Sequence, residues 1–398
     1  MDSGSIAWML VASAMVLFMT PGLAFFYGGL VRNRNIVSTI MYSFISLGLM
    51  SVVWVLWGYT LAFGEGGNGY FGSFENFALN GIDTPDDQIF AIFQMMFAII
   101  TPALITGAFC ERFRFKTYLI FLVLWITFVY APIAHWVWSS DGWLFKRGAL
   151  DFAGGAVVHI NAGVAAIAAA ALVGRRRSPG LPSNVPFVIL GASMLWFGWF
   201  GFNAGSGLAA NGQAINAFLV TNTCAAMAMI IWVVLGTIHG GGKFSGVGAA
   251  TGAIAGLATI TPASGFVSVG AALILGVITG IITFYAVYYK NKVNLDDALD
   301  VFAVHGLGGI VGIIGTGIFA TEKIGGAKGL IEGSSSLLIE NIIMIVATFV
   351  YSLVASLIIL KILDVIPGLG LRSTELEEDA GLDISDHGER AFIEDGAD

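Results

Sequence analysis

Eleven apolar runs, each long enough to cross a bilayer as a helix, constrain this chain more than any other feature. They fall at 6–31, 36–63, 88–110, 117–138, 156–173, 187–203, 214–238, 246–262, 266–289, 301–320 and 337–366. Roughly 17–25 predominantly apolar residues suffice to span the hydrocarbon core. The sixth and eighth runs are the weakest, being short and Gly-rich. The runs are long and lack a period of two, which excludes a membrane β-barrel. Of 398 residues, 57% are hydrophobic and only 11% charged, too few charges to cover a soluble surface. The expected fold class is an all-α polytopic membrane protein with eleven transmembrane helices in the lipid bilayer.

Basic residues set the orientation of such a chain. Arg32, Arg34, Arg112, Arg114, Lys116, Arg175, Arg176, Arg177, Lys243, Lys290 and Lys292 lie in alternate loops, and Lys361, Arg372 and Arg390 at or after the last run. These are 14 of the 18 basic residues; Lys146, Arg147, Lys323 and Lys328 lie on the other side. The basic side is expected to be cytoplasmic, with the N-terminus outside, the C-terminus inside, and the protein multi-pass in the cell (plasma) membrane. The MDSGS start has no basic region, so no cleavable signal is expected. Residues 1–366 read as the membrane domain. The acidic, Pro- and Gly-broken stretch 367–398 reads as a soluble cytoplasmic tail and the one candidate regulatory segment. Acidic residues outnumber basic ones by 26 to 18, which leaves no footprint for nucleic acid. Cys110 and Cys224 form no CxxC and no metal spacing. Neither a metal nor another cofactor is expected.

One internal correspondence stands out. Asp151 opens DFAGGAVVHI and leads to His159; Asp300 opens DVFAVHGLGG and leads to His305. The two segments lie five runs apart, and a five-helix repeat inverts its topology on repeating. The expected repeats are about 6–173 and 187–320, followed by a last long helix, 337–366. Inverted repeats place sites near the midplane.

Ionisable residues within spans are functional candidates by default. His159 and His305 qualify, although each can also be a core histidine bonded to a backbone carbonyl. Glu340 lies near the outer end of the last run and reads as interfacial. Asp151 and Asp300 sit at helix starts, where an Asp caps orphan N–H groups. Trp136, Trp138 and Trp143 flank the outer end of the fourth run, as an interfacial aromatic belt or, for Trp138, as a cation–π site. Phe93 and Phe97 share a helix face beside Gln94, and Phe202 and Ser206 repeat that spacing; packing alone accounts for such stripes. His135, His239 and His387 carry no expected chemistry. No nucleotide-binding or hydrolase motif occurs, and no enzymatic activity is expected.

These segments resemble the ammonium transporter (Amt/Mep/Rh) family. PGLAFFYGGLVR, DFAGGAVVHINAG, GWFGFNAGS, DVFAVHGLGGIVG and GLDISDHGERAF carry the resemblance, in order along the whole chain. It implies a homotrimer with one pore per subunit and an inverted five-plus-five repeat with a final helix. Trp138, Ser206 and Phe97 then match an outer recruitment site. Phe97 and Phe202 match a stacked phenyl gate, with Phe93 beside it. His159 and His305 match twin pore histidines, which serve as an ammonia lining or a proton relay, and Asp151 matches a structural acid. The implied substrate is ammonium or ammonia, with methylammonium as an analogue. A PII-type cytoplasmic signal protein is the implied regulatory partner. Two departures stand out: the tail motif closes on Phe392 where the family usually has Tyr, and Met95 and Met96 stand where smaller residues occur. Three alternatives stay open: an ammonium sensor or receptor, a passive ammonia gas channel, and a membrane enzyme with two histidine metal ligands.

Overall fold

The computed structural model describes residues 1–290, 292–293 and 295–392; the end of the expected tail, 393–398, lies outside the described residues. Among the described residues, ten helices are long and apolar enough to cross a membrane: α1 (Ser3–Leu30), α2 (Asn33–Phe63), α3 (Pro85–Ala108), α4 (Phe115–Lys146, broken at 139–142), α5 (Gly155–Val173), α6 (Val185–Gly205), α7 (Gly212–His239), α9 (Val269–Lys290), α10 (Phe302–Phe319) and α11 (Ser336–Val365). The eighth expected run forms α8 (Gly246–Ile260), an apolar helix of 15 residues. At 1.5 Å per residue it is about 22 Å long, shorter than the others.

Local chemistry sets several starts. Asp2 caps α1 by accepting from Ser5 N, and Asn184 caps α6 by accepting from Phe187 N. Thr84 caps α3 with Pro85 in its first turn, which moves the start ahead of the apolar run. The last helix is inside-out. Ile339, Ile342, Val346, Val350, Val354, Ile358 and Ile362 are exposed at helical spacing, while Asn341, Thr348, Ser352 and Ser356 are buried. Such a helix is stable only where its outer face meets lipid. Its buried polar groups tie α11 inward: Asn341 Nδ2 donates to Ile313 O (3.1 Å), Ser352 Oγ to Asn161 O (2.8 Å), and Trp125 Nε1 to Ser356 Oγ (3.0 Å).

The helices α5 and α10 run antiparallel through the centre. The C-terminal end of α5 meets the tail, through Arg372 Nη1 and Val173 O. The C-terminal end of α10 lies at the opposite end, where Thr321 N donates to Phe266 O. This is the relation an inverted repeat requires. The two cross at Gly163, where a Cβ would stand 2.6 Å from Gly306 Cα. No larger residue fits that contact.

The basic loops gather at one end with the tail. Glu111, 1% exposed, accepts from Arg32 Nε (2.8 Å), Arg32 N (3.0 Å) and Asn35 Nδ2 (3.0 Å) and pairs with Arg176 (3.4 Å). Arg176 also pairs with Asp296 (2.9 Å). The tail forms two short helices, α12 (Glu375–Ala380) and α13 (Leu382–His387). Asn35 Oδ1 accepts from Leu382 N (2.9 Å), and Asp383 Oδ1 from Ser38 N (2.8 Å). Gly381, at φ 95°, packs so closely on Arg34 that a Cβ would stand 2.6 Å away. Phe392 meets the Phe187 ring (6.4 Å). Glu340, the expected interfacial acid, is paired with Arg147 at the other end (2.7 Å).

Burial alone would raise the Glu111 carboxyl, but the Arg32 side chain, the Arg32 N–H and Asn35 outweigh it and hold the group below its usual range. A depressed acid stabilises the fold fully above its unfolded value of 4.5 and loses that contribution as pH falls below it. Glu111→Ala should lower stability by about 3 kcal/mol by leaving Arg32 and Arg176 without their carboxylate. Thermal unfolding in detergent at pH 7 measures the loss, and the gap to wild type should narrow below pH 4.5.

Candidate functional site

Both central helices open on an aspartate. Asp151 Oδ1 accepts from Gly154 N (2.9 Å) and Gly155 N (2.6 Å), and its Oδ2 from Ala156 N (2.8 Å) and Val157 N (3.2 Å). At the start of α10 this task falls to Asp297, which accepts from Val301 N (3.1 Å) and Phe302 N (2.8 Å). The expected pairing of Asp151 with Asp300 is therefore corrected. Asp151 and Asp297 each precede their histidine by eight positions, whereas Asp300 precedes His305 by five. Asp300 occupies the place of Gly154. Both have positive φ, 63° and 122°, and Asp300 pairs with Lys290 instead of capping.

His159 and His305 lie in π-helical turns, Gly155–Ile160 and Phe302–Gly306. Such turns are frequent at functional sites. The imidazoles are buried and nearly parallel, 22° apart, with Nδ1 atoms 3.3 Å from each other. A neighbouring network assigns their protons. Thr261 Oγ1 donates its one proton to Leu257 O (2.8 Å) and accepts from Trp199 Nε1 (2.9 Å). Facing His159 Nε2 at 3.3 Å, it can only accept again. His159 therefore carries its proton on Nε2, and its Nδ1 accepts from His305 Nδ1–H. His305 Nε2 is left with a free lone pair.

Three cavities lie along this axis. The one farthest from the basic loops, termed the outer cavity for the orientation proposed below, measures about 110 Å³ and is lined by Gln94, Phe97, Trp138, Phe152, Ser206 and neighbouring apolar groups. Trp138 Nε1 donates to Asp151 O (2.9 Å), so the residue that caps α5 also fixes the indole. Ser206 Oγ donates to Phe202 O (2.9 Å), which leaves its oxygen free to accept. Phe97 and Phe202 stack behind this cavity, with centroids 4.2 Å apart, and both are 1% exposed. Beyond them a chamber of about 10 Å³ is lined by Phe202, Trp199, His159, His305 and aliphatic side chains. That is close to the least space that holds one water-sized molecule. The inner cavity, about 160 Å³, runs from His305 to Tyr27, Asp300 and Arg176.

The structure thus brings Trp138, Ser206 and Phe97 to one cavity, and Phe202, His159 and His305 to the next. Phe93 packs against Phe97 (5.0 Å) and lines neither. Trp136 meets Tyr351 (4.6 Å) and Trp143 (5.9 Å) edge to face and does not line the outer cavity. Sequence reasoning missed Thr261 and Asp297. An isolated threonine carries no signal; the repeated eight-residue spacing would have revealed Asp297.

A bundle of membrane-crossing helices around a narrow apolar path, with an aromatic cavity at one end and paired imidazoles inside, defines a multi-pass membrane protein for a small solute. The model of the Ammonium Transporter Family matches residues 7–392, and the chain belongs to that family. The ammonium transporter of Bacillus subtilis is 46% identical over 405 residues, covering 98% of this chain and 99% of that protein. The crystal structure of Saccharomyces cerevisiae Mep2 is similar with a TM-score of 0.89 and 36% identity, covering 95% of this chain and 90% of that one. A structure titled Sensor Amt Protein is also similar, with a TM-score of 0.88 and 29% identity, covering 96% and 98%. The matching family is one of transporters, and the Bacillus subtilis relative is named one.

Asp151→Ala would leave four N–H groups at a buried helix start without their acceptor and release the carbonyl partner geometry of Trp138. An unsatisfied buried donor costs about 1–3 kcal/mol, so the variant should lose at least about 2 kcal/mol of stability. Thermal unfolding in detergent checks this, with tryptophan fluorescence reporting the freed indole.

Proposed function

We propose that the chain transports ammonium by recruiting NH4+ in the outer cavity, removing a proton, and passing NH3 between the histidines. One observation carries the reading: the stacked Phe97 and Phe202 rings open onto a chamber of about 10 Å³ whose polar side chains are chiefly two imidazoles sharing one N–H. Ammonium resembles a lysine head group, with a pKa near ~10, so deprotonation at pH 7 costs about 4 kcal/mol. Carrying the unpaired ion through an apolar interior costs several kcal/mol even after relaxation. Shedding the proton is therefore competitive. The His305 Nε2 lone pair can accept from ammonia; a proton passing inward along the pair needs the reverse tautomers, with His159 Nδ1–H donating to His305 Nδ1.

In this reading Trp138 and Phe97 present ring faces to the cation, Ser206 accepts an N–H, and Phe97 with Phe202 form the gate. Phe93 backs the gate from behind. The protein has eleven spans, α8 included, with its N-terminus outside and its tail inside; the basic loops and the tail share one end, which favours that end as cytoplasmic. The family resemblance supports a homotrimer and a PII-type partner at the tail face. The tail is a regulatory segment, coupled to the inner loops through Asn35, Arg34 and Ser38.

The test is ammonium-driven current in liposomes holding the purified protein. His159→Ala and His305→Ala should each reduce it at least tenfold, and the double variant should lose little more, because the two act as a unit. Wild-type current in both single variants would reduce the pair to packing.

A further inference from the structure

The outer cavity holds one polar side chain with no assigned task. Gln94 follows Phe93 on α3, lines the cavity beside Trp138 and Ser206, and is 8% exposed. Its Oε1 meets no donor. Buried polar groups are nearly always hydrogen-bonded, and an orphaned acceptor is costly. A glutamine kept here at a cost to folding calls for a donor from outside the protein.

The other polar groups of the wall narrow what that donor is. The Trp138 N–H is committed to Asp151 O and the Ser206 hydroxyl proton to Phe202 O. No lining residue carries a charge. The wall therefore offers ring faces, the Ser206 lone pairs and the Gln94 carboxamide, whose last torsion decides whether Oε1 or Nε2 faces the cavity; with Oε1 turned inward the set suits a small cation rich in N–H donors.

We propose that Gln94 Oε1 is a further ligand for ammonium in the outer cavity, accepting one N–H alongside Ser206; this rests on reading the cavity as the recruitment site. Ammonium has four N–H donors and sheds water as it enters. Two oxygens replace two of its water partners, and the ring faces of Trp138 and Phe97 take part of the remaining charge. The carboxamide also suits the product. Rotation about its last torsion turns Nε2–H to the cavity, where it donates to the lone pair that deprotonation creates on nitrogen. Methylammonium keeps three N–H donors, enough for both acceptors, so the pair serves both cations.

The experiment records transport current against ammonium and methylammonium concentration in liposomes, with Gln94→Leu, Gln94→Glu and Trp138→Leu beside wild type. Gln94→Leu should raise the half-saturating ammonium concentration about tenfold, equivalent to about 1.4 kcal/mol. Its maximal current should change less, and half-saturation by methylammonium should rise in parallel. Gln94→Glu, which keeps the length and adds a negative charge, should lower half-saturation. If Trp138→Leu weakens half-saturation while both Gln94 variants match wild type, Gln94 is not a ligand and the recruitment site stands. If neither Trp138→Leu nor the Gln94 variants alter it, both readings fall. A Gln94→Leu change confined to maximal current marks a structural role and overturns the proposal. Should Gln94→Leu fail to fold, unchanged half-saturation in Gln94→Glu overturns it equally.

Discussion

Everything at the centre depends on the crossing of two antiparallel helices at Gly163 and Gly306. With a Cβ at Gly163 the backbones would be forced apart, since that atom would lie 2.6 Å from Gly306 Cα. The separation of His159 and His305 is set by this contact, because each imidazole lies within a turn of it. Lipid gives helices little hydrophobic reason to associate, so close packing of small residues supplies the attraction. Widening the crossing would break the 3.3 Å contact between the imidazoles and open the chamber to water.

A second constraint follows from burying two helix starts. Orphan N–H groups inside a membrane protein need acceptors. Asp151 answers four of them at one end and Asp297 two at the other. Asp151 also holds Trp138 through its own carbonyl, so the wall of the outer cavity is built on the cap that starts α5. The capping residue thus also acts on the cavity, by positioning another side chain.

The membrane spans were legible because an apolar run long enough to cross a bilayer leaves an unmistakable composition. The run 337–366 matches Ser336–Val365 to within a residue at each end. The run 246–262 yielded only Gly246–Ile260, because Pro262 follows and Gly-rich sequence leaves the end ambiguous. That Trp138, Ser206 and Phe97 share one cavity and Phe202, His159 and His305 the next was legible through motifs, not periodicity, which cannot separate a cavity wall from packing. Motif reading erred where it matched Asp151 to Asp300 by proximity to the histidine. The acid that caps must sit one turn ahead of the first orphan N–H, and Asp300 is too late for that. Thr261 was invisible because its role depends on Trp199, Leu257 and His159 converging from elsewhere in the chain.

The central claim is that the passing species gives up a proton. Potassium is a monovalent cation with no proton to lose, so it discriminates this account from any pore that conducts the whole ion. The most direct measurement compares currents driven by equal gradients of ammonium and potassium across liposomes containing the wild-type protein. The account predicts an ammonium signal and no potassium current above that of empty liposomes. A potassium current comparable with the ammonium one would contradict it.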